Sequence, residues 1–237
     1  MKKTVQQKHE RYLLQTEWTK PFREYLYRKI PQNRPVSVLE VGCGTGAVLN
    51  CIRKEFPGRI GFLAGIDLDR EVLGFAGKQA QTIAVQCSGY NMPFISGTFD
   101  FVFCHYLLLW VKEAENILKE MYRVTKFEGI CAAMAEPDYD GMTAKPKELE
   151  GLARRQGTEL EKTGANTTIG RDLGNIFRCM GFRKTEDGKY FSGIQDQAFI
   201  KQEIEQMMFD CEINTFDYDS SIEYSYNIPT FFAYGIK

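Results

Sequence analysis

The residues best placed to do chemistry begin at Val38-Leu39-Glu40-Val41-Gly42-Cys43-Gly44-Thr45-Gly46, an apolar run that ends in alternating glycines. A strand turning through glycines into a helix lets a ligand approach bare backbone beside the unpaired N–H groups of the helix N-terminus. Downstream, Gly65-Ile66-Asp67-Leu68-Asp69 ends a second apolar run with an acid. A carboxylate at that point can accept from both hydroxyls of an adenosine ribose. Gly42, Gly44 and Ala47 also satisfy the looser dinucleotide fingerprint, so NAD binding and oxidoreductase chemistry stand as an alternative. Against that alternative, Glu40 would repel a pyrophosphate and favour an ammonium group. The segment from Met92-Pro93-Phe94 to Phe99-Asp100 also has no derivable role in a dehydrogenase. His105, one of two histidines, follows the apolar run Phe99 to Cys104 and is a candidate general base.

The elements that must position these residues alternate along the chain. Apolar runs at Val36 to Val41, Ile60 to Ile66, Ile83 to Gln86, Phe99 to Cys104 and Ile130 to Ala135 predict strands buried on both faces. Helical stripes lie between them, with Val48, Leu49, Ile52 and Phe56 forming one and Ala114, Ile117, Leu118, Met121 and Val124 another. This alternation predicts an α/β fold, a parallel sheet covered on both faces by crossover helices. Ahead of it, Trp18, Phe22, Tyr25, Leu26 and Ile30 predict an added helix with Thr19 or Lys20 as cap and Pro21 in its first turn. After it come a charged helix over Lys145 to Arg155, a helix capped by Thr168, a strand over Phe182 to Phe191, a helix through Ile200 to Cys211, and a terminal strand over Ile228 to Ile236. The short spacing of those late strands predicts an antiparallel edge.

The 237 residues, 43% hydrophobic and 26% charged, fit one large domain and exclude a disordered chain. Residues 1–35 would carry the added N-terminal helix (a lid, by the family resemblance given below), 36–137 a ligand-binding core, and 138–237 a C-terminal part with the antiparallel edge. A formal charge of -1 gives no global positive field for nucleic acid or anionic membranes. Seven scattered cysteines without CxxC spacing read as free thiols of a reducing compartment, and no metal is implied. No apolar stretch follows the basic N-terminus, and the most apolar window is too short to cross a bilayer. These features predict a cytoplasmic protein; nothing in the sequence sets its oligomeric state.

Taken together, residues 36–137 resemble the class I S-adenosylmethionine-dependent methyltransferases. The glycine turn, Asp67, the Met-Pro-Phe segment with Phe99-Asp100, and Leu118-Lys119-Glu120-Met121-Tyr122-Arg123-Val124 through Gly129 carry the resemblance. It implies a three-layer α-β-α sandwich with a seven-stranded sheet of order 3-2-1-4-5-7-6, strand seven antiparallel. It further implies that S-adenosyl-L-methionine is bound, with Gly42, Cys43, Gly44 and Gly46 lining its methionine portion and Glu40 near its amino group. Asp67 would hold the ribose and Leu68 would lie against adenine. The family often has an acid where Ser88 stands, so the Ser88 hydroxyl or the backbone of Gly89 and Tyr90 would meet the adenine amino group. Cys104 and His105 would flank the transferring methyl.

The acceptor is less constrained. Tyr12 and Trp18 on the added helix are candidate pocket walls, and Asp138 and Tyr139 follow strand five at the sheet edge where open parallel sheets bind ligands. Phe103-Cys104-His105-Tyr106 lacks the Asn/Asp-Pro-Pro-Tyr/Phe signature of many DNA amino-methyltransferases, which with the balanced charge counts against nucleic acid. A small-molecule acceptor is the first reading. A protein acceptor, an NAD-dependent oxidoreductase and a non-catalytic partner subunit are the alternatives.

Overall fold

The computed structural model describes residues 3–79, 82–190 and 196–237. Seven strands form one sheet: β1 (Val36–Val41), β2 (Ile60–Asp67), β3 (Ile83–Gln86), β4 (Phe99–Cys104), β5 (Thr125–Pro137), β7 (Lys184–Tyr190) and β9 (Thr230–Ile236). Their order is β3-β2-β1-β4-β5-β9-β7. The five leading strands pair in parallel, while β9 runs antiparallel to both β5 and β7. With β7 and β9 as sixth and seventh strands, this is the order the resemblance implied. Phe191, the end of one expected strand, lies outside the described residues.

No position of β1 or β4 is exposed, as expected of central parallel strands covered on both faces. Their two-residue period sorts side chains between layers. Val36, Val38, Phe101 and Phe103 pack with α1 (Val5–Tyr27), α2 (Ala47–Glu55) and Leu73 of α3 (Arg70–Gln79). Leu39, Val41, Val102 and Cys104 pack with α4 (Ala114–Val124) and α6 (Ile169–Cys179). The three-layer sandwich follows directly.

Helix α1 differs from the sequence expectation. It starts at Val5, not near Thr19, and Pro21 lies inside it. Thr4 is the N-cap: its side chain accepts from the Gln7 N–H, and the Gln7 side chain accepts from the Thr4 N–H. The first half escaped notice because its protein-facing residues are polar. His9, Thr16, Thr19 and Arg23 are buried through hydrogen bonds, so no apolar stripe marks the helix.

A second assembly adds to the sheet. Short strands β6 (Thr143–Lys145) and β8 (Ser225–Asn227) pair antiparallel, a feature the sequence reading missed. With α5 (Lys147–Lys162) and α7 (Gln197–Asp210) they enclose a separate core of Met142, Leu149, Leu152, Ile200, Ile204, Met207 and Tyr226. Among the described residues, no helix is long and apolar enough to cross a membrane.

Candidate active site

The glycine turn joins β1 to α2 with φ of 72° at Gly42, 51° at Gly44 and 72° at Gly46, a region costly for other residues. It is pinned from β2: Ile66 O accepts from the Gly42 and Cys43 N–H groups at 2.8 and 2.9 Å, and Asp67 Oδ2 accepts from the Gly44 N–H at 2.8 Å. A Cβ on Gly42 would fall 2.6 Å from Leu107 Cδ1, and one on Gly44 would fall 3.0 Å from Tyr12 Cε2. The turn is therefore closed on one side by the chain after β4 and on another by α1.

Beside this turn opens a cavity of about 410 Å³. Glu40, Gly42, Cys43, Gly44, Asp67, Tyr12, Trp18, His105 and Tyr139 are on its wall, so nine residues singled out from sequence face one space. A smaller hollow of about 90 Å³ continues past Asp67 to Leu68, Ser88 and Gly89. Leu68 is 67% exposed there, an apolar side chain presented to an open slot. Asp67 accepts one bond per oxygen, Oδ1 from the Asp69 N–H at 3.0 Å, which leaves further lone pairs for a ligand.

Glu40 carries the clearest ligand signal. It is 2% exposed, and its Oε2 has no hydrogen-bond partner. A buried, unpaired acceptor on a cavity wall is costly unless a donor arrives. Burial, reinforced by Asp67, holds its carboxyl well above the ordinary range, against the pull of Arg23 and the Leu49 backbone.

His105 lies at the β4 end of the same cavity, with Nε2 3.1 Å from Thr19 Oγ1. Burial, aided by the nearby Arg23 guanidinium, presses its pKa to about 3. A ring held neutral so firmly takes up a proton poorly, which favours a hydrogen-bonding wall over the general base expected from the sequence. Arg23, fully buried, ties this wall to the scaffold through Thr19 Oγ1 at 2.9 Å, Thr16 O at 2.6 Å and Glu55 Oε1 at 2.6 Å.

Three expectations are revised. Cys104 does not reach the cavity, because strand alternation turns it into the layer with α4 and α6, where its Sγ lies 4.0 Å from Glu136 Oε1. Gly46 serves as the left-handed N-cap of α2, not on the cavity wall. Asp138 is buried in a two-point ion pair with Arg171, whose Nε is 3.1 Å from Oδ2, so it holds α6 to β5, while its neighbour Tyr139 lines the cavity.

The sequence reading missed Glu136. Fully buried in β5, it accepts from the Leu107, Leu108 and Leu109 N–H groups at 3.1, 2.9 and 3.1 Å. Burial raises its pKa to about 7 despite those bonds. This clamp fixes the turn that places Leu107 on Gly42 and Tyr106, at φ 51°, on the cavity. Arg11 and Glu203 were missed as well. They are far apart in sequence yet paired across the cavity, and a single sequence carries no signal for such a meeting.

A seven-stranded sheet of this order, with a pinned glycine turn after β1 and an acid ending β2, defines the class I methyltransferase fold. Residues 39–133 match the model of the methyltransferase domain family. It is 31% identical over 150 residues to an uncharacterized methyltransferase of Schizosaccharomyces pombe, covering 57% of this chain and 52% of that protein. It is 29% identical over 122 residues to the demethylmenaquinone methyltransferase of Lactobacillus johnsonii, covering 48% of each. The chain thus spans about half the length of these curated relatives. In fold it is similar to the crystal structure of the YcgJ protein of Bacillus subtilis, with a TM-score of 0.61 and 16% identity over 93% of this chain and 98% of that one. A Thermotoga maritima S-adenosylmethionine-dependent methyltransferase gives a TM-score of 0.60 at 16% identity, over 98% and 95%.

Proposed function

We propose that this chain binds S-adenosylmethionine in the cavity beside the glycine turn and transfers its methyl group to a small, largely apolar acceptor. The observation that carries the reading is the unpaired buried Glu40 Oε2 with Asp67 close by. A buried unpaired carboxyl oxygen beside a second carboxyl suits a donor bearing an ammonium and a sulfonium, and it offers no donor of positive charge to the pyrophosphate of NAD. Leu68, Ser88 and Gly89 would take the adenine, Asp67 the ribose hydroxyls, and Gly42 to Gly44 the methionine chain.

When bound, S-adenosylmethionine would supply an activated methyl: the acceptor would form the new bond to carbon as the C–S bond breaks, that electron pair would stay on sulfur, and the acceptor's proton would pass to solvent. The chain contributes orientation and dryness. Tyr12 and Trp18 of α1 and Tyr226 of β8 close the cavity from outside the sheet, while the Glu136 clamp fixes Tyr106 and Leu107 beneath. The neutral His105 ring lines the acceptor side without storing a proton.

Relatives named as a demethylmenaquinone methyltransferase and as a ubiquinone/menaquinone biosynthesis C-methyltransferase support a small-molecule acceptor over a protein one. Calorimetric titration with S-adenosylmethionine, S-adenosylhomocysteine and NAD tests the donor, and S-adenosylhomocysteine release with naphthol-type acceptors tests the transfer. Tighter binding of NAD than of S-adenosylhomocysteine would reinstate the oxidoreductase alternative. Donor binding without turnover on any acceptor would favour a non-catalytic partner.

A further inference from the structure

The acceptor side of the cavity has an unusual charge arrangement. Among the described residues on its wall, Arg11 is the only arginine or lysine. Its guanidinium meets Glu203 fork to fork, NH2 2.8 Å from Oε2 and NH1 on Oε1. The Trp18 ring covers the same guanidinium at 5.6 Å. Arg11 belongs to α1 and Glu203, 5% exposed, to α7; the pair joins two helices that also touch through Trp18 and Phe199, ring centroids 5.2 Å apart. Tyr106, Tyr139 and Tyr226 share the wall, and burial holds each phenol above its ordinary range, so all three are uncharged at neutral pH.

The chamber therefore offers aromatic faces, neutral hydroxyls and one ion pair whose charges cancel. A carboxylate or phosphate entering it would find no cation unless Arg11 left Glu203, stranding a buried anion. A cationic acceptor would have to take Glu203 from Arg11 with the converse result. An uncharged planar molecule makes neither demand, and it can stack on Trp18 while hydrogen-bonding to phenols.

We propose that the Arg11–Glu203 pair is the specificity element of the acceptor chamber, admitting uncharged planar acceptors that carry hydroxyl or carbonyl groups and rejecting those bearing carboxylate or phosphate. The inference rests on the methyltransferase reading of the cavity. It is tested by equilibrium dialysis of two matched probes, 2-naphthol and 3-hydroxy-2-naphthoate, against protein saturated with S-adenosylhomocysteine. The wild type is expected to bind 2-naphthol at least about tenfold more tightly. Glu203→Gln frees the guanidinium while keeping the side-chain shape, and is expected to raise naphthoate affinity by about one to two decades, the range of a charge-assisted hydrogen bond. Glu203→Met frees Arg11 in a second way and guards against misfolding of the first variant. Equal affinity for both probes in the wild type, binding of neither, or an unchanged probe ratio in both variants would overturn the proposal. A wild type that binds no S-adenosylhomocysteine would instead remove the underlying methyltransferase reading.

Discussion

Glu40→Gln isolates the electrostatic core of the proposed cofactor site. A carboxyl that is 2% exposed, with one unpartnered oxygen, holds its proton well above the usual range because of burial and Asp67. An arriving ammonium group favours the carboxylate, so ligand binding should expel that proton. Calorimetry of S-adenosylhomocysteine binding as a function of pH should then show, above the ordinary carboxylate range, an enthalpy that depends on the ionisation enthalpy of the buffer. The glutamine variant cannot release a proton, and its enthalpy should be buffer-independent. It also loses a charge-assisted bond of roughly 1.5–3 kcal/mol, which lowers affinity by about one to two decades. At pH values where the carboxyl keeps its proton, the variant without ligand should lose less than about 1 kcal/mol of stability, because a protonated carboxyl and a primary amide are both neutral and similar in shape. A wild-type enthalpy independent of buffer, or an unchanged affinity in the variant, would refute the assignment of Glu40 to the ammonium group.

The other residues give further tests. Asp67→Ala should weaken S-adenosylhomocysteine binding by about one to two decades, as measured by calorimetry, through loss of the proposed ribose contact and release of the Gly44 N–H. His105→Gln should lower turnover less than about tenfold, and wild-type turnover should show no histidine ionisation near pH 6.5; a loss of about a hundredfold would restore the general base. Glu136 has a folded-state pKa of about 7, above its ordinary 4.5, so its contribution is fully present below pH 4.5 and is lost as pH rises toward 7. That change is about 3 kcal/mol, and urea denaturation of Glu136→Gln at pH 5 and 7.5 should lack this slope.

The cofactor side was more legible in the sequence than the acceptor side, for a physical reason. Strand, glycine turn and terminal acid are local patterns, and parallel-sheet geometry brings Gly44 and Asp67 together wherever they occur. The parity of a strand was equally readable in principle: Cys104 and Glu40 sit on opposite faces of the sheet, and a two-residue count from the buried Val38 and Val102 shows it. Helix α1 was only half legible, since hydrophobic periodicity detects burial by apolar contact and this helix buries His9, Thr16, Thr19 and Arg23 through hydrogen bonds.

By itself the sequence determined the layers, the strand order through its resemblance, and a donor site built from residues near one another along the chain. Tertiary structure alone decided the protonation states and the acceptor chamber. Glu40 and Glu136 are ordinary carboxylates until burial raises them, and His105 is an ordinary imidazole until burial beside Arg23 holds it neutral. Arg11 and Glu203 are two surface-type charges until α1 and α7 close over the sheet and bring them within hydrogen-bonding distance. Desolvation and pairing depend on which distant segments meet, and no local pattern records that meeting.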